Sequence, residues 1–483
     1  MASIEELKEE RQSKIEDLEA YPAQVNYTKT ILDFLSSFEE GDRTENILVG
    51  RVMSMRKFGA LAFAKIFDGT DKVQVVFEEE VSKDAINYFD AHVDAGDFVE
   101  VAGHNYVTKK GEKSLLVNRV RIISKAMLPL PDKWAGLQDE EEKMRKRYLD
   151  LLLDDEKRDL FYKKAKFWQV ARAFFLENDF LEVETPTIET TTGGAEARPF
   201  KTFHNDFDIN VYMRISIGEL WQKRLMAAGF RRTYEIGRAY RNEGSSPEHL
   251  QEFTNCEFYM AYTDYTVGME FVKDLYRRIA KEVFGKTEFT IKGMTFDLDD
   301  EWDLIDYASE IQKQTGIDIW SASDEEIKEK LAELKVKYDG DNRERLTDTL
   351  WKYCRKSISG PAFLINHPLL VSPLAKPSKD GRTAQQFQPI LAGSEVGKGY
   401  TELNDPKVQK ENFLRQLELI ESGDEEAMMP DYDFVEMLEH GMPPTFGFGF
   451  GDRLFAFLAG LPIRETILFP LVKPKKEEIE SKK

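Results

Sequence analysis

Arg241 closes a run in which Glu235, Gly237, Ala239 and Arg241 share one face of an extended strand, because successive strand side chains point to opposite sides. Its neighbours on that face are small, so the guanidinium is expected to project over a surface open to a ligand. A polar loop follows from Asn242 to Gln251, carrying Gly244 and Pro247. A second run then puts Phe253, Asn255, Glu257 and Tyr259 on one face. Together they predict a β-hairpin that sets an arginine opposite Glu257 and Tyr259, two groups suited to a cation. The loop is too long for a tight turn, which favours a functional loop, although a plain hairpin with a surface salt bridge fits the same pattern.

Gly447-Phe448-Gly449-Phe450-Gly451 repeats glycine with period two, so one strand face is bare backbone and the other is core. Three glycines on one face suggest close approach of a flat ligand such as a nucleotide base. DRLFAFLAG then predicts a short apolar helix with Arg453 near its start, where phosphate oxygens are favoured. Alone, this stretch reads as a glycine-rich core strand packed under a helix.

Three stretches resemble the signature motifs of class II aminoacyl-tRNA synthetases: FLEVETPTI around Pro186, RAYRNEG with EHLQEFT, and GFGFGDR. Within that class the chain resembles the lysyl-tRNA synthetases and not their aspartyl or asparaginyl relatives. GGAEARPF from Gly193, EFTNCEFYMAYTDY, HPLLVSPLAK from His367, GYTELNDP from Gly399 and ILFP from Ile467 carry that likeness, which runs with gaps from about Arg11 to about Pro474.

The resemblance implies activation of L-lysine by ATP to lysyl-adenylate, with Mg²⁺, then transfer to the 3′ end of tRNA(Lys). A carboxylate and an α-phosphate repel, so the protein must supply positive charge and alignment. Arg241 suits the bridging position and Arg453 the far phosphates, making these two the expected catalytic groups. Phe253 would stack on adenine, His249 reach a phosphate, and Glu243 either orient the site or face solvent. For lysine, Glu257, Tyr259 and Glu402 would hold the ε-ammonium, since converging buried glutamates require a cation between them. Gly194 and Glu219 would hold the α-amino group, with Lys398, Tyr400 and Gly451 completing the lysine site. Glu395, and more weakly Glu402, would hold the metal.

Several residues depart from the family pattern. Lys398 stands in place of an asparagine, though a cation there could pair with the substrate carboxylate, and Gln388 replaces a metal-binding glutamate. Leu250 replaces an asparagine beside His249, and the third motif is one residue shorter between Gly451 and Arg453. Glu395 differs in strand parity from Lys398, Tyr400 and Glu402, which predicts a bulge at Gly397 or Gly399.

The elements that must position these groups follow an α+β plan. An N-terminal helical segment (1–45) begins with a charged amphipathic helix to about Tyr21. Five short strands between 46 and 127 suit an OB-fold barrel, whose face binds single-stranded bases. By resemblance Arg56, Phe63 and Gln74 read the anticodon, while Phe63 alone fits a barrel core equally well. Arg119 stands where a glutamate is expected. A linker (128–157) precedes a class II catalytic domain (158–474), built on an antiparallel β-sheet flanked by helices. Phe161, Ala165, Trp168, Ala171 and Phe175 mark its first amphipathic helix, which by resemblance belongs to a homodimer interface. A helical insertion is expected at about 288–366 and a disordered charged tail at 475–483.

At 483 residues, 41% of them hydrophobic, the chain is long enough for at least two cored domains. Two cysteines, Cys256 and Cys354, do not make a disulfide framework, and MASIEELKEE lacks a leader pattern. No apolar run approaches the roughly 20 residues of a membrane span, so a soluble cytoplasmic protein is expected. The net charge of −21 opposes nucleic-acid binding overall, which leaves the basic clusters Lys109, Lys110, Lys113 and Lys143, Arg145, Lys146, Arg147 as local RNA contacts. Three alternatives stay open: a synthetase for another amino acid, a lysine ligase acting on a protein, and a non-catalytic RNA-binding paralogue. The acidic pocket speaks against the first, the barrel against the second, and Arg241 with Arg453 against the third.

Overall fold

The computed structural model describes residues 3–131, 139–195, 197–244, 246–338, 340, 342–369, 372–423 and 427–475. Beyond Lys475 the charged tail lies outside them. Two compact units divide the chain, Met1–Leu149 and Asp150–Lys483.

In the first unit β1 (Asn46–Phe58), β2 (Leu61–Phe67), β3 (Lys72–Glu78), β4 (Phe98–Val107) and β5 (Lys113–Ser124) close a barrel in the order β1-β2-β3-β5-β4. Alternation fills it: Ala62, Ala64 and Ile66 of β2 meet Val73, Val75 and Phe77 of β3, with Val99, Val101, Leu115 and Val117 from the other strands. A helix at Lys83–His92, absent from the sequence-based expectation, adds Phe89, whose ring stacks on Phe77 at 4.3 Å. The N-terminal helix stops at Ser13 and not near Tyr21. Tight turns from Gln12 to Ile15 and from Ile15 to Leu18 then lay Ile15 and Ala20 into the barrel core.

The expected linker is helical where described, at Glu140–Arg145 and Arg147–Leu153, and a further helix spans Asp155–Glu177. Asp139 and Asp154 cap the first and third of these through the N–H groups of Glu142 and Lys157. The basic cluster on the first of these helices is already paired within the helix. Lys143 pairs with Glu140, Arg145 with Glu141 and Lys146 with Glu142 along the helix, and Arg147 is buried. Lys109 and Lys110, by contrast, are exposed at the β4–β5 turn.

In the second unit the remaining strands are β6 (Leu181–Glu182), β7 (Ile188–Glu189), β8 (Lys201–His204), β9 (Ile209–Met213), β10 (Arg232–Tyr240), β11 (Glu252–Ala261), β12 (Glu288–Ile291), β13 (Met294–Asp297), β14 (Asp303–Asp306), β15 (Ala362–Ile365), β16 (Gln386–Leu391), β17 (Ser394–Glu395), β18 (Lys398–Thr401) and β19 (Thr445–Gly451). The central sheet runs β14-β15-β16-β18-β19-β11-β10-β6, with β17 beside β16. From β15 to β10 every pairing is antiparallel, whereas β14 and β6 join the two edges in parallel.

Phe446, Phe448 and Phe450 of β19 enter a core with Phe258, Tyr276 and Phe387. The helix Asp155–Glu177 covers it with Phe167, Val170, Ala171, Phe174 and Phe175, so the expected stripe is rotated and Ala165 is exposed. Three- and four-residue spacings fit two adjacent helix faces, and the edge contact of Phe167 with Phe450 selects one of them. The stretch 288–366 is likewise not a helical insertion throughout. It opens with the β12–β13 hairpin and gives β14 and β15 to the central sheet. Among its described residues only Tyr307–Thr315, Asp324–Glu333 and Arg343–Cys354 are α-helical, around a core with Ile311, Ile327, Leu350 and Trp351.

Candidate active site and nucleic-acid surface

On the side of β18, β19 and β11 away from the phenylalanines lies a pocket of about 430 Å³. That volume falls in the range of small-molecule sites, about 300 to 1,000 Å³. Arg241, Phe253, Glu257, Tyr259, Lys398, Tyr400, Glu402 and Arg453 all border it, with Gly194, Glu219, Glu243, His249, Gln388, Glu395 and Gly451. Residues far apart in sequence thus meet because the sheet sets β18, β19 and β11 side by side. Lys398 pairs with Gly449, and Gly449 in turn with Glu257.

The glycines serve the protein as much as a ligand. A Cβ on Gly447 would strike Glu402 Oε1 and the Tyr259 ring, and one on Gly451 would strike Asn255 Oδ1. Gly449 is the more open, with Glu257 Cγ at 3.3 Å from such a Cβ. Similarly, the space beside Gly237 is not open to a ligand. The Arg214 guanidinium fills it and pairs with buried Glu235 at 2.6 Å.

Acidic groups gather at one end. Glu219, Glu257 and Glu402 are all buried. Glu257 Oε1 accepts from the Ile217 N–H at 2.8 Å and its Oε2 from the Tyr259 hydroxyl at 3.0 Å, while the Tyr400 hydroxyl donates to Glu219. Burial and the neighbouring Glu219 push Glu257 up to about 7. Burial pushes Glu402 up to about 8, against the pull of a nearby cation. That cation is Lys223, which sequence reasoning missed. Its Nζ lies 2.8 Å from Glu219 Oε1 and 2.5 Å from Glu402 Oε2, the latter contact outside hydrogen-bond alignment. The i, i+4 spacing of Glu219 and Lys223 on helix Glu219–Ala227 was the available signal.

Basic groups mark the other end. Arg241 Nε donates to Ile215 O at 3.2 Å, and its guanidinium stands 5.3 Å from the Phe253 ring centre. The loop after it closes through Arg241 N–H to Gln251 O, and Leu250 packs beneath Phe253 with Ala456 and Ile463. Arg453 opens the seven-residue helix Asp452–Leu458, which buried Asp452 anchors to Lys164 at 2.9 Å and to the Thr254 N–H at 3.0 Å. Its Nη2 donates to Glu248 Oε2 at 2.6 Å, a partner the sequence did not suggest. His249 is partly exposed and bonded to Ser246 Oγ at 2.8 Å, and the buried part of its ring together with nearby Arg453 holds its pKa below the usual value. Lys398 is exposed and makes no salt bridge among the described residues; its Nζ lies 5.9 Å from the Tyr400 ring centre.

The expected metal ligands divide. Glu402 belongs to the ammonium cluster and is not placed as a metal ligand. Gln388 Oε1 accepts from His367 Nε2–H at 2.7 Å; burial drops His367 to about 3, so it is neutral. Glu395 borders the pocket, where Trp351 Nε1 donates to it at 2.7 Å. Among the described residues no group of three or more His, Cys, Asp or Glu could hold a metal ion. This donor set suits Mg²⁺ bound by one carboxylate with ligand phosphates, and not a protein-made cage. The parity break falls at Val396-Gly397, between β17 and β18, where a Cβ on Gly397 would strike the Phe448 ring.

In the first unit Arg56 lies directly across from Phe63, and Lys65 across from Gln74. All three anticodon candidates therefore share one outer face, and Phe63 is half-buried outside the barrel core. Phe58 meets its edge at 6.3 Å, and Gln74 Nε2 donates to Ser114 Oγ at 3.0 Å. Arg119 is exposed, 4.0 Å from Glu45.

Residues 139–473 match the family described as tRNA synthetases class II (D, K and N), and residues 47–123 match the OB-fold nucleic acid binding domain. The lysine–tRNA ligase of Thermotoga maritima is 40% identical over 99% of this chain and 98% of its own. That of Roseiflexus castenholzii is 40% identical over 98% and 99%, and that of Thermosipho africanus 38% over 98% and 97%. With the barrel, the antiparallel sheet and the charged pocket in place, the chain belongs to the class II tRNA synthetases, on the lysine–tRNA ligase branch.

Proposed function

We propose that the pocket joins lysine to ATP and that the adenylate then charges tRNA(Lys), whose anticodon the barrel reads through Arg56, Phe63 and Gln74. The observation that carries this is the polarity of the pocket: a buried acidic end at Glu219, Glu257 and Glu402 and a basic end at Arg241 and Arg453. Lysine spans that polarity. Its ε-ammonium lies by Glu257, Tyr259 and Glu402, and its α-amino group by Gly194 and Glu219, with Tyr400 and Gly451 bounding it. Its carboxylate meets Arg241, with Lys398 as a second cation where the family carries an amide.

A lysine carboxylate oxygen then attacks the α-phosphorus, the bond to the β-phosphate oxygen breaks, and pyrophosphate leaves. Arg241 bridges the two repelling anions, and Arg453 takes the far phosphates. Phe253 offers its ring to adenine, while His249 donates to a phosphate and Glu243 orients Arg241. Mg²⁺, held by Glu395 and phosphate oxygens, would neutralise charge on the departing pyrophosphate. In the second step the 3′-terminal ribose hydroxyl attacks the lysyl carbonyl and AMP leaves.

A cytoplasmic homodimer is the assembly we infer. Leu181, Ile188, Phe203, Phe207 and Ile209, along or between β6 to β9, are exposed apolar residues suited to a subunit interface. No helix among the described residues is long and apolar enough to cross a membrane. Labelled lysine incorporated into tRNA bearing a lysine anticodon, dependent on ATP and Mg²⁺, tests this reading. Incorporation of a different amino acid, or of none, would refute it.

A further inference from the structure

Three carboxylates border the acidic end of the pocket, and one ammonium lies buried against two of them. Glu219, Glu257 and Glu402 are 5%, 7% and 1% exposed, and Lys223 is 1% exposed. Lys223 is packed from every side. Glu219 faces it from its own helix at 2.8 Å and Glu402 from beyond β18 at 2.5 Å. The Tyr400 ring lies 5.5 Å away and the Phe434 ring of helix Tyr432–His440 5.9 Å. Glu257 and Tyr259 of β11 complete the titratable groups of the cluster, and the adjacent Arg224 is taken up by Asp431 at 2.9 Å. One cation against three anions leaves two negative charges when all are ionised. Buried carboxylates without counter-charge protonate instead.

Resting on the reading of this pocket as a lysine site, we propose that Lys223 is a positioning and specificity residue. Its buried ammonium fixes Glu219 and Glu402 and cancels one of three carboxylates, leaving a deficit of two positive charges that an amino acid with two ammonium groups fills. A monoamino acid of the same length leaves one carboxylate uncompensated, so the pocket rejects it by what it fails to neutralise. Without Lys223, Glu402 loses the cation that favours its charged form and stays protonated to higher pH. The substrate then meets an uncharged side chain where it needs an anion.

Lysine-dependent ATP–pyrophosphate exchange by the full chain, followed from about pH 6 to 9, tests this. Lys223→Met should raise the lysine KM about tenfold at pH 7, the size of a one-unit pKa displacement, while the ATP KM stays within about twofold. The acid limb of kcat/KM for lysine should move up by about one pH unit, so that the defect falls below about threefold at pH 9. Lys223→Arg keeps the charge. Its acid limb should stay where the wild type has it, whatever the bulkier head costs in KM, and it serves as the test should the methionine variant fail a melting check. A methionine variant with lysine KM within about threefold of wild type at pH 7, a defect equal at every pH, or an arginine variant whose limb moves by about one unit would overturn the proposal. Absence of lysine-dependent exchange in the wild type would instead overturn the lysine-site reading beneath it.

Discussion

Glu248 lies between two cations: its Oε2 accepts from Arg453 Nη2 at 2.6 Å, and its Oε1 from Lys292 Nζ, at the tip of the β12–β13 hairpin, at 3.1 Å. Arg453 and Lys292 hold Glu248 below its usual pKa although burial works the other way. An anion thus sits where the account puts the far phosphates of ATP, and ATP must displace it. Glu248→Gln should lower the ATP KM by about two- to fivefold, since a half-exposed pair is worth about 1 kcal/mol or less. Lysine KM should not move. Steady-state exchange with ATP varied gives the answer, and a raised ATP KM would show that Glu248 binds the nucleotide instead of yielding to it.

Arg241→Ala should reduce exchange by about a hundredfold to a thousandfold, the usual cost of one charged transition-state contact. Its hydrogen bond to Ile215 O is replaceable by water at the pocket, so the melting temperature should stay near that of the wild type. Activity within about tenfold of the wild type would remove Arg241 from the reacting centre.

The acidic cluster makes lysine binding depend on pH in a set direction. Burial raises Glu257 to about 7 and Glu402 to about 8. Below those values both are protonated and offer no charge to an ammonium; above them both are anionic. Lysine binding should therefore strengthen as pH rises from 6 to about 8, with protons released on binding, whereas ATP binding should change less over that window. Calorimetry in buffers of different ionisation enthalpy reads the proton release directly, and proton uptake would reverse the account.

Phe63→Ala should weaken tRNA binding by about 1 to 3 kcal/mol through lost base stacking. Because Phe63 lies outside the barrel core, its removal should leave barrel melting close to wild type and exchange without tRNA unaltered. A melting loss near the ~3 to 5 kcal/mol of a core phenylalanine would return it to a packing role.

What the sequence disclosed follows the reach of each signal. Period-two alternation is local, so the glycine and phenylalanine faces of β19 were legible residue by residue, but the β10–β11 register was not: Glu235 and Thr233, and not Arg241, lie opposite Glu257 and Tyr259. Lys223 was not. Glu219 and Lys223, four apart, look like an ordinary helix pair until Glu402 arrives from β18 and all three are buried. Gly237 was read as room for a ligand because nothing nearby in sequence announces that Arg214 fills it. The helix Lys83–His92 did leave a trace, an N-capping Ser82 before Ala85, Ile86 and Phe89, but strands on either side dominated the pattern. β14 and β15 are four residues each, too short for a periodicity to register, and they flank a run of charged helices.

The buried acidic end lets the pocket select lysine by its side-chain ammonium. ATP–pyrophosphate exchange measured with lysine, norleucine, aspartate and asparagine tests it most directly, because norleucine keeps the aliphatic chain and lacks only the cation. Lysine alone should support exchange, with norleucine lower in kcat/KM by at least about a thousandfold, as expected when a site built for a charged group leaves its own polar groups unpaired. Exchange with norleucine within about tenfold of lysine, or exchange driven by aspartate or asparagine, would contradict the account.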